Sequence, residues 1–235
     1  MGYRRYDKLI TILVPCRARH ERTINLLDSL ERTTDNKERL RVVTITDFDA
    51  IEDHNNISNA VNSNRISYEL FNITRTRDFH LNKNYYNLAN LLGESWFSWI
   101  LGNDIEIETE GWDSILYDNT VNHFDNIIED IKNYYIFIND DTHSSNYGDG
   151  SAASHGSCFP IISNNYSEKV RGPMPENFRS WGGDSELYWS CLADKDSWEF
   201  IDLQDKIKTS HYCFHNGKVQ ADEVSEHVKK HHSNG

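Results

Sequence analysis

SWFSWILGNDIEI, residues Ser95 to Ile107, decides how this chain is read. Trp96, Phe97, Trp99, Ile100 and Leu101 make an aromatic and aliphatic run, which predicts a buried strand. Gly102 and Asn103 break it. Asp104 and Glu106 follow at alternate positions, so on an extended backbone both side chains point to one face. Two carboxylates on one face repel unless a positive charge sits between them, and hard divalent cations take oxygen ligands. The same letters also describe a strand running out into a solvated acidic loop. The rest of the chain has to choose between the two.

Upstream, Leu9 to Pro15 (LITILVP) is a continuous apolar run suited to a strand covered on both faces, with Pro15 as its stop. Ile24, Leu27 and Leu30, with Leu26 alongside, recur at helical spacing behind it. Arg41 to Thr46 (RVVTIT) is a second strand, closed by Asp47 and Asp49. Ligands of open α/β sheets bind beyond the carboxyl ends of strands, so Asp47 is placed either to bond a base or ribose or to cap the next helix. A polar helix over Ile51 to Asn64 and a strand over Ser67 to Ile73 follow. Tyr85, Leu88, Leu91 and Leu92 then mark a helix stopped by Gly93. The alternation of strand and helix predicts a parallel sheet with crossover helices.

Downstream, Trp112 to Ile131 carries helical periodicity and Tyr134 to Asn139 (YYIFIN) reads as a strand. Asp140 to Gly156 is small, polar and aperiodic, a loop of the sort that closes over a site. Cys158 to Ser163 is a strand whose proline assigns it to a sheet edge. Asn177 to Trp189 (NFRSWGGDSELYW) supplies a glycine turn, and then Asp184 and Glu186 at the start of a helix, where free N–H groups favour carboxylates. Ile207 to Phe214 is a last strand with His211 and His215 near its end, ahead of a polar tail.

Composition sets limits. With 235 residues the chain is one large domain or two lobes sharing a core. A charged fraction of 26% and a hydrophobic fraction of 37% belong to an ordinary globular protein. The formal charge of -13 argues against a broad nucleic-acid-binding face, which needs clustered Lys and Arg. The 4 cysteines are widely spaced and form no C-x-x-C pair, so reduced thiols in a cytoplasmic protein are expected. Neither a signal peptide nor a membrane-spanning run is read.

These motifs, in this order, resemble a glycosyltransferase of the GT-A type, most similar to family 2, over Leu9 to about Gly217. The family's V-P-x-x-x-R corresponds to Val14, Pro15 and Arg19, and its nucleotide-binding aspartate to Asp47. Asn84 and Gly93-Glu94 match its Asn before a helix ending in G-E. Its D-x-D metal motif falls on Asp104 and Glu106, its acceptor motif W-x-E-D-x-E-L on Trp181, Gly183, Asp184, Glu186 and Leu187, and its late histidine on His211 or His215. The chain departs from the family at N-D-I-E and at Gly183, where a Glu is usual.

The resemblance implies a GT-A-like, Rossmann-like fold: a mostly parallel sheet flanked by helices, with a smaller antiparallel acceptor-side portion. Residues 1–106 would form the nucleotide-sugar half and residues 107–235 the acceptor half. It implies inverting transfer of a sugar from a nucleotide diphosphate sugar to an acceptor hydroxyl, glycan or other. Mn2+ or Mg2+ would be held by Asp104, Glu106 and His211 or His215. Asp184 would be the base, with Glu186 second. Pro15, Arg17, Arg19, Asp47, Lys83, Asn84, Asn103 and Asp104 are assigned to the donor, and Trp181, Gly182 and Gly183 to the acceptor. Arg17, Arg19 and Lys83 also read as solvated surface charge, and Trp181 as core. Two other readings stay open. One is a nucleotidyltransferase of similar fold, although the loop PCRARHER lacks the glycines that hold a triphosphate. The other is a catalytically silent sugar-nucleotide-binding module.

Overall fold

The computed structural model describes residues 6–16, 19–47, 50–61, 66–73, 86–87, 95–121, 133–141, 157–164, 174 and 183–212. The elements are β1 (Ile10–Cys16), α1 (His20–Thr33), β2 (Leu40–Asp47), α2 (Ile51–Val61), β3 (Ser67–Ile73), β4 (Phe97–Ile100) and β5 (Ile105–Ile107). They continue as α3 (Trp112–Asn119), β6 (Asn133–Phe137), β7 (Ile161–Ser163), α4 (Gly183–Ala193), β8 (Trp198–Asp202) and β9 (Thr209–His211). The main sheet has the order β3-β2-β1-β4-β7-β6-β8, and β5 pairs with β9 in a small second sheet.

The expected parallel half is present. β1 pairs in parallel with β2 and β4, and β2 with β3. The chain moves outward from β1 to β3 and then returns to the other side of β1, so the strand order reverses between β1 and β4. At such a switch point the loops leave in opposite directions and open a crevice at the carboxyl ends of the strands. Alternation along β1 feeds two cores. Ile10, Ile12 and Val14 pack with Leu26, Leu30, Ile57 and Trp112, whereas Leu13 packs with Tyr86, Tyr135, Leu187 and Cys191. Thus α1, α2 and α3 cover one face and α4 the other.

The deciding stretch forms a strand, but a shorter one than expected. Trp99 is fully buried against Trp112, with ring centroids 4.9 Å apart. Both indole N–H groups find oxygen, on Phe159 (3.1 Å) and Thr34 (3.2 Å), as burial of so large an amphipathic ring requires. After Leu101 the chain leaves the main sheet, turns at Asn103 and Asp104, and pairs Ile105–Ile107 with β9.

Both proline assignments need correction. Pro15 does not stop β1, which runs to Cys16. Leu13 directs its carbonyl to Leu101 on the β4 side, so the nitrogen of Pro15, two residues on, faces that same side after β4 has ended and no ladder donor is missed. The strand after Cys158 is not at an edge: β7 lies between β4 and β6, antiparallel to both. Pro160 precedes it and contributes only its carbonyl, which accepts from Ile100 N–H at 3.2 Å. β8 was not foreseen at all; Trp198–Asp202 pairs in parallel with β6.

Of the helix predicted over Trp112 to Ile131, Trp112–Asn119 is helical and residues 122–131 lie outside the described residues. So do residues 142–156 of the predicted loop, and most of the helix over 85–92, of which Tyr86 and Asn87 lie in a π-helical turn. No helix among the described residues is long and apolar enough to cross a membrane.

A buried carboxylate ties α3 to the turn that follows α1. Asp113, 0% exposed, accepts the backbone N–H groups of Asp35 (2.8 Å) and Asn36 (3.1 Å), with Arg39 Nη1 at 3.9 Å. Asp113→Ala leaves those donors without an acceptor. A loss of about 2–4 kcal/mol of unfolding free energy is expected in urea titrations, at unchanged m-value.

Candidate functional site

The candidate site sits at the switch point. β1 delivers Arg19, the residue ahead of α1, and β4 delivers the Gly102–Asp104 turn. The Asp104 carboxylate lies between two cationic or basic groups. Arg19 Nη1 is 3.6 Å from Oδ2, and His211 Nε2 is 3.7 Å from Oδ1. All three side chains are largely sheltered, at 16%, 13% and 10% exposure respectively. Both separations exceed hydrogen-bond length; Arg19 and Asp104 form an ion pair, and the His211 imidazole flanks the same carboxylate.

The turn is built to hold this carboxylate. A Cβ on Gly102 would come 2.5 Å from Asp104 Oδ1 and 3.1 Å from the Phe159 ring, so only glycine lets the carboxylate fold back over the backbone. The Asp104 carbonyl accepts Tyr212 N–H at 2.8 Å, locking the turn to the end of β9. His211 is aimed by two contacts. Its backbone N–H donates to Asp141 Oδ2 (3.4 Å), and its ring stands edge-on to Phe159 with centroids 4.9 Å apart. Asp141 holds this position from a left-handed backbone, φ 61°.

Glu106 does not join Asp104 and His211. In the β5–β9 register Ile105 lies opposite His211 and Glu106 opposite Ser210, and opposed residues share a face, so Glu106 and His211 project to opposite faces. The reason is the turn: Asp104 precedes the strand instead of lying in it. Among the described residues, no three His, Cys, Asp or Glu side chains converge on a metal position. The donor set that remains, one carboxylate oxygen and one imidazole nitrogen, still suits Mn2+ or Mg2+, because such ions are commonly held by one or two protein ligands with substrate phosphates completing the shell.

Asp184 lies in the first turn of α4, half-buried. Its neighbourhood is the other core. Burial first, and then the charges of Asp104 and Asp184, push the Tyr86 hydroxyl well above its ordinary range, while that hydroxyl donates to the Leu101 carbonyl at 3.1 Å. Burial and then Asp184 likewise raise Tyr135. One buried phenol is therefore within electrostatic reach of both acids. Glu186 is exposed, about 200° further round the helix, and does not converge with Asp184.

Asp47 ends β2 fully buried. Its carbonyl accepts Ala50 N–H at 3.0 Å and α2 begins only at Ile51, so it is not that helix's N-cap. Asn103 is turned inward, its amide donating to Thr23 Oγ1 at 3.4 Å; it pins the turn to α1. Burial pushes the nearby Cys16 thiol up to about 11, which keeps it protonated and unreactive at neutral pH. Gly183 is the first residue of α4. Arg17, Lys83, Asn84, Trp181, Gly182 and His215 lie outside the described residues. Sequence reading missed Gly102, Tyr86 and Phe159. A signal existed for Gly102, a glycine two residues ahead of a candidate ligand, whereas Tyr86 and Phe159 reach the site only through the fold.

No family model and no curated protein matches the sequence. Solved structures do. The chain superposes on S. aureus TarS 1–349 in complex with UDP-GlcNAc with a TM-score of 0.64 and 14% identity, over 94% of this chain and 64% of that one. For the same protein in complex with UDP the values are 0.62 and 15%, over 86% and 60%. For the mannosyltransferase PcManGT from Pyrobaculum calidifontis, in complex with GDP-Man and Mn2+, they are 0.61 and 11%, over 88% and 60%. This chain thus spans about three-fifths of the length of these neighbours. At such identities the likeness is one of fold, and at that level the expected GT-A-like α/β architecture is borne out.

Proposed function

We propose that this chain is a glycosyltransferase that moves a sugar, with inversion, from a nucleoside diphosphate sugar to an acceptor hydroxyl. The observation that carries this reading is the Asp104 carboxylate held between Arg19 and His211 at the switch point. Neighbours of the same fold bind UDP-GlcNAc and GDP-Man, which adds support.

Transfer breaks the bond between the anomeric carbon and the diphosphate oxygen, and forms one from that carbon to the acceptor oxygen. The bonding pair leaves with the diphosphate, so negative charge grows there. Arg19 offers a fixed positive charge beside Asp104 to meet it. Asp104 and His211 would hold a divalent cation, which when bound neutralises the same oxygens. The acceptor hydroxyl loses its proton as it attacks, and Asp184 is the assigned acceptor of that proton. Attack from the face opposite the diphosphate inverts the anomeric centre.

Gly102→Ala tests the geometry. The added methyl would displace the Asp104 carboxylate, which lies 2.5 Å away and yields as a side-chain tip, and would press the Phe159 ring, 3.1 Å away, back by a few tenths of an ångström. Turnover should fall about tenfold to a hundredfold with the melting temperature nearly unchanged.

The direct test is a panel of UDP-, GDP-, ADP- and dTDP-sugars with manganese, assayed for released nucleotide. Release of a nucleoside diphosphate supports the proposal. Pyrophosphate release from a sugar phosphate and a nucleoside triphosphate would replace it by nucleotidyl transfer, and tight binding without any release by a silent module.

A further inference from the structure

Past Phe137 the chain continues beside β9. Asn139 forms a parallel bridge with Lys208, donates to the Ile207 carbonyl (2.9 Å) and accepts from Thr209 N–H (2.8 Å). Backbone groups along β9 therefore alternate in direction. The Lys208 carbonyl and Tyr212 N–H bond toward the β5 side, to Glu108 N–H and the Asp104 carbonyl. Thr209 and His211 donate the other way, toward the segment after β6.

The rung at His211 is irregular. In a parallel ladder that starts from Asn139 and Lys208, His211 N–H would meet the backbone carbonyl of residue 141. Asp141 instead takes a left-handed backbone, φ 61°, and turns its own N–H back to Asn139 Oδ1 at 3.1 Å. Its side chain makes the rung: Oδ2 accepts His211 N–H at 3.4 Å. Aspartate is among the few residues that tolerate this backbone and carry an acceptor on a short arm.

The residue before it secures the other flank of the same histidine. Asp140 is fully buried, and its Oδ2 accepts from Ser157 Oγ (2.6 Å), Cys158 N–H (2.7 Å) and Phe159 N–H (3.3 Å). That fixes the backbone of Phe159, whose ring stands edge-on to the imidazole. One dipeptide thus supports His211 twice, at its backbone through Asp141 and at its ring through Asp140 and Phe159. Within the cation seat proposed above, on which this step rests, His211 has to stay beside Asp104. We infer that Asp141 is a positioning residue for His211: its carboxylate, standing in for a strand carbonyl, holds the imidazole against Asp104 for the divalent cation.

Mn2+ is the probe, titrated into the full chain with and without UDP or GDP and followed by the electron paramagnetic resonance of the free ion. Asp141→Gly removes the acceptor, and glycine adopts the left-handed backbone without strain, so the protein should fold and melt near its usual temperature. Its Mn2+ affinity should fall about tenfold, the low end of what contacts supporting a metal ligand contribute. Asp141→Asn keeps both the backbone tolerance and an oxygen acceptor, and should bind Mn2+ within about twofold of the unaltered protein. Undiminished Mn2+ binding by Asp141→Gly would leave the seat standing and overturn the positioning role. An equal loss in Asp141→Asn would also overturn it, because the carboxylate would then act through its charge and not through the bond to His211. If the unaltered protein takes up no Mn2+ under either condition, the cation seat itself fails and this inference goes with it.

Discussion

Asp104→Ala is expected to reduce sugar transfer at least about a thousandfold, the range seen when a preorganised charge at the reacting group is lost. The protein should still fold. The Asp104 side chain is 16% exposed and lies 3.6 Å from Arg19 and 3.7 Å from the His211 ring, so its removal takes a sheltered partner from Arg19 at a cost of about 1–3 kcal/mol. The damage is electrostatic. Arg19 and His211 lose the anion between them, and a cation loses the carboxylate half of its seat. Three readouts check this: turnover, the melting temperature, and the manganese concentration for half-maximal activity. A variant with wild-type turnover would remove the cation proposal.

Asp184→Asn should have a comparable effect on kcat by a different route. The amide keeps the size of the carboxylate but cannot take the acceptor's proton, so turnover should fall about a hundredfold to ten-thousandfold. Affinity for the nucleoside diphosphate should stay within about twofold, because Asp184 is assigned to the acceptor side of the sugar. The contrast between the variants is the informative part. Asp104→Ala should weaken manganese-dependent nucleotide binding and turnover together, whereas Asp184→Asn should separate them. If Asp184→Asn weakens nucleotide binding as much as it slows transfer, the carboxylate belongs to the donor side.

The parallel half of the fold was legible because buried parallel strands write themselves as continuous apolar runs. Leu9 to Pro15 and Arg41 to Thr46 correspond to β1 and β2 within a residue or so at either end. The antiparallel half was less so. β8 is short, and its Glu199 and Asp202 are exposed; nothing local distinguishes WEFID from a turn until β6 is there to pair with it. The prolines misled because their cost depends on whether a ladder donor is needed at that point. At Pro15 the neighbouring strand has ended, and Pro160 lies outside its strand.

The site shows the same division. Asp104 and His211 are far apart in the chain, and the late histidine was named only through a family pattern; the structure brings them within 3.7 Å. Glu106 illustrates the reverse. Spacing by alternate positions predicts a shared face only if the backbone is extended throughout, and the turn at Asn103 and Asp104 breaks that condition. Contacts such as His20 with Asp53 have no short-range signature, because the crossover between β1 and α2 creates them.

A crystal structure of the protein with manganese and the nucleoside diphosphate sugar whose hydrolysis it supports tests the central claim most directly. The account predicts anomalous density for one cation touching Asp104 and His211. It also predicts the diphosphate on the Arg19 side and the anomeric carbon turned toward Asp184. Nucleotide bound elsewhere, or a sugar whose anomeric carbon faces away from Asp184, would contradict it.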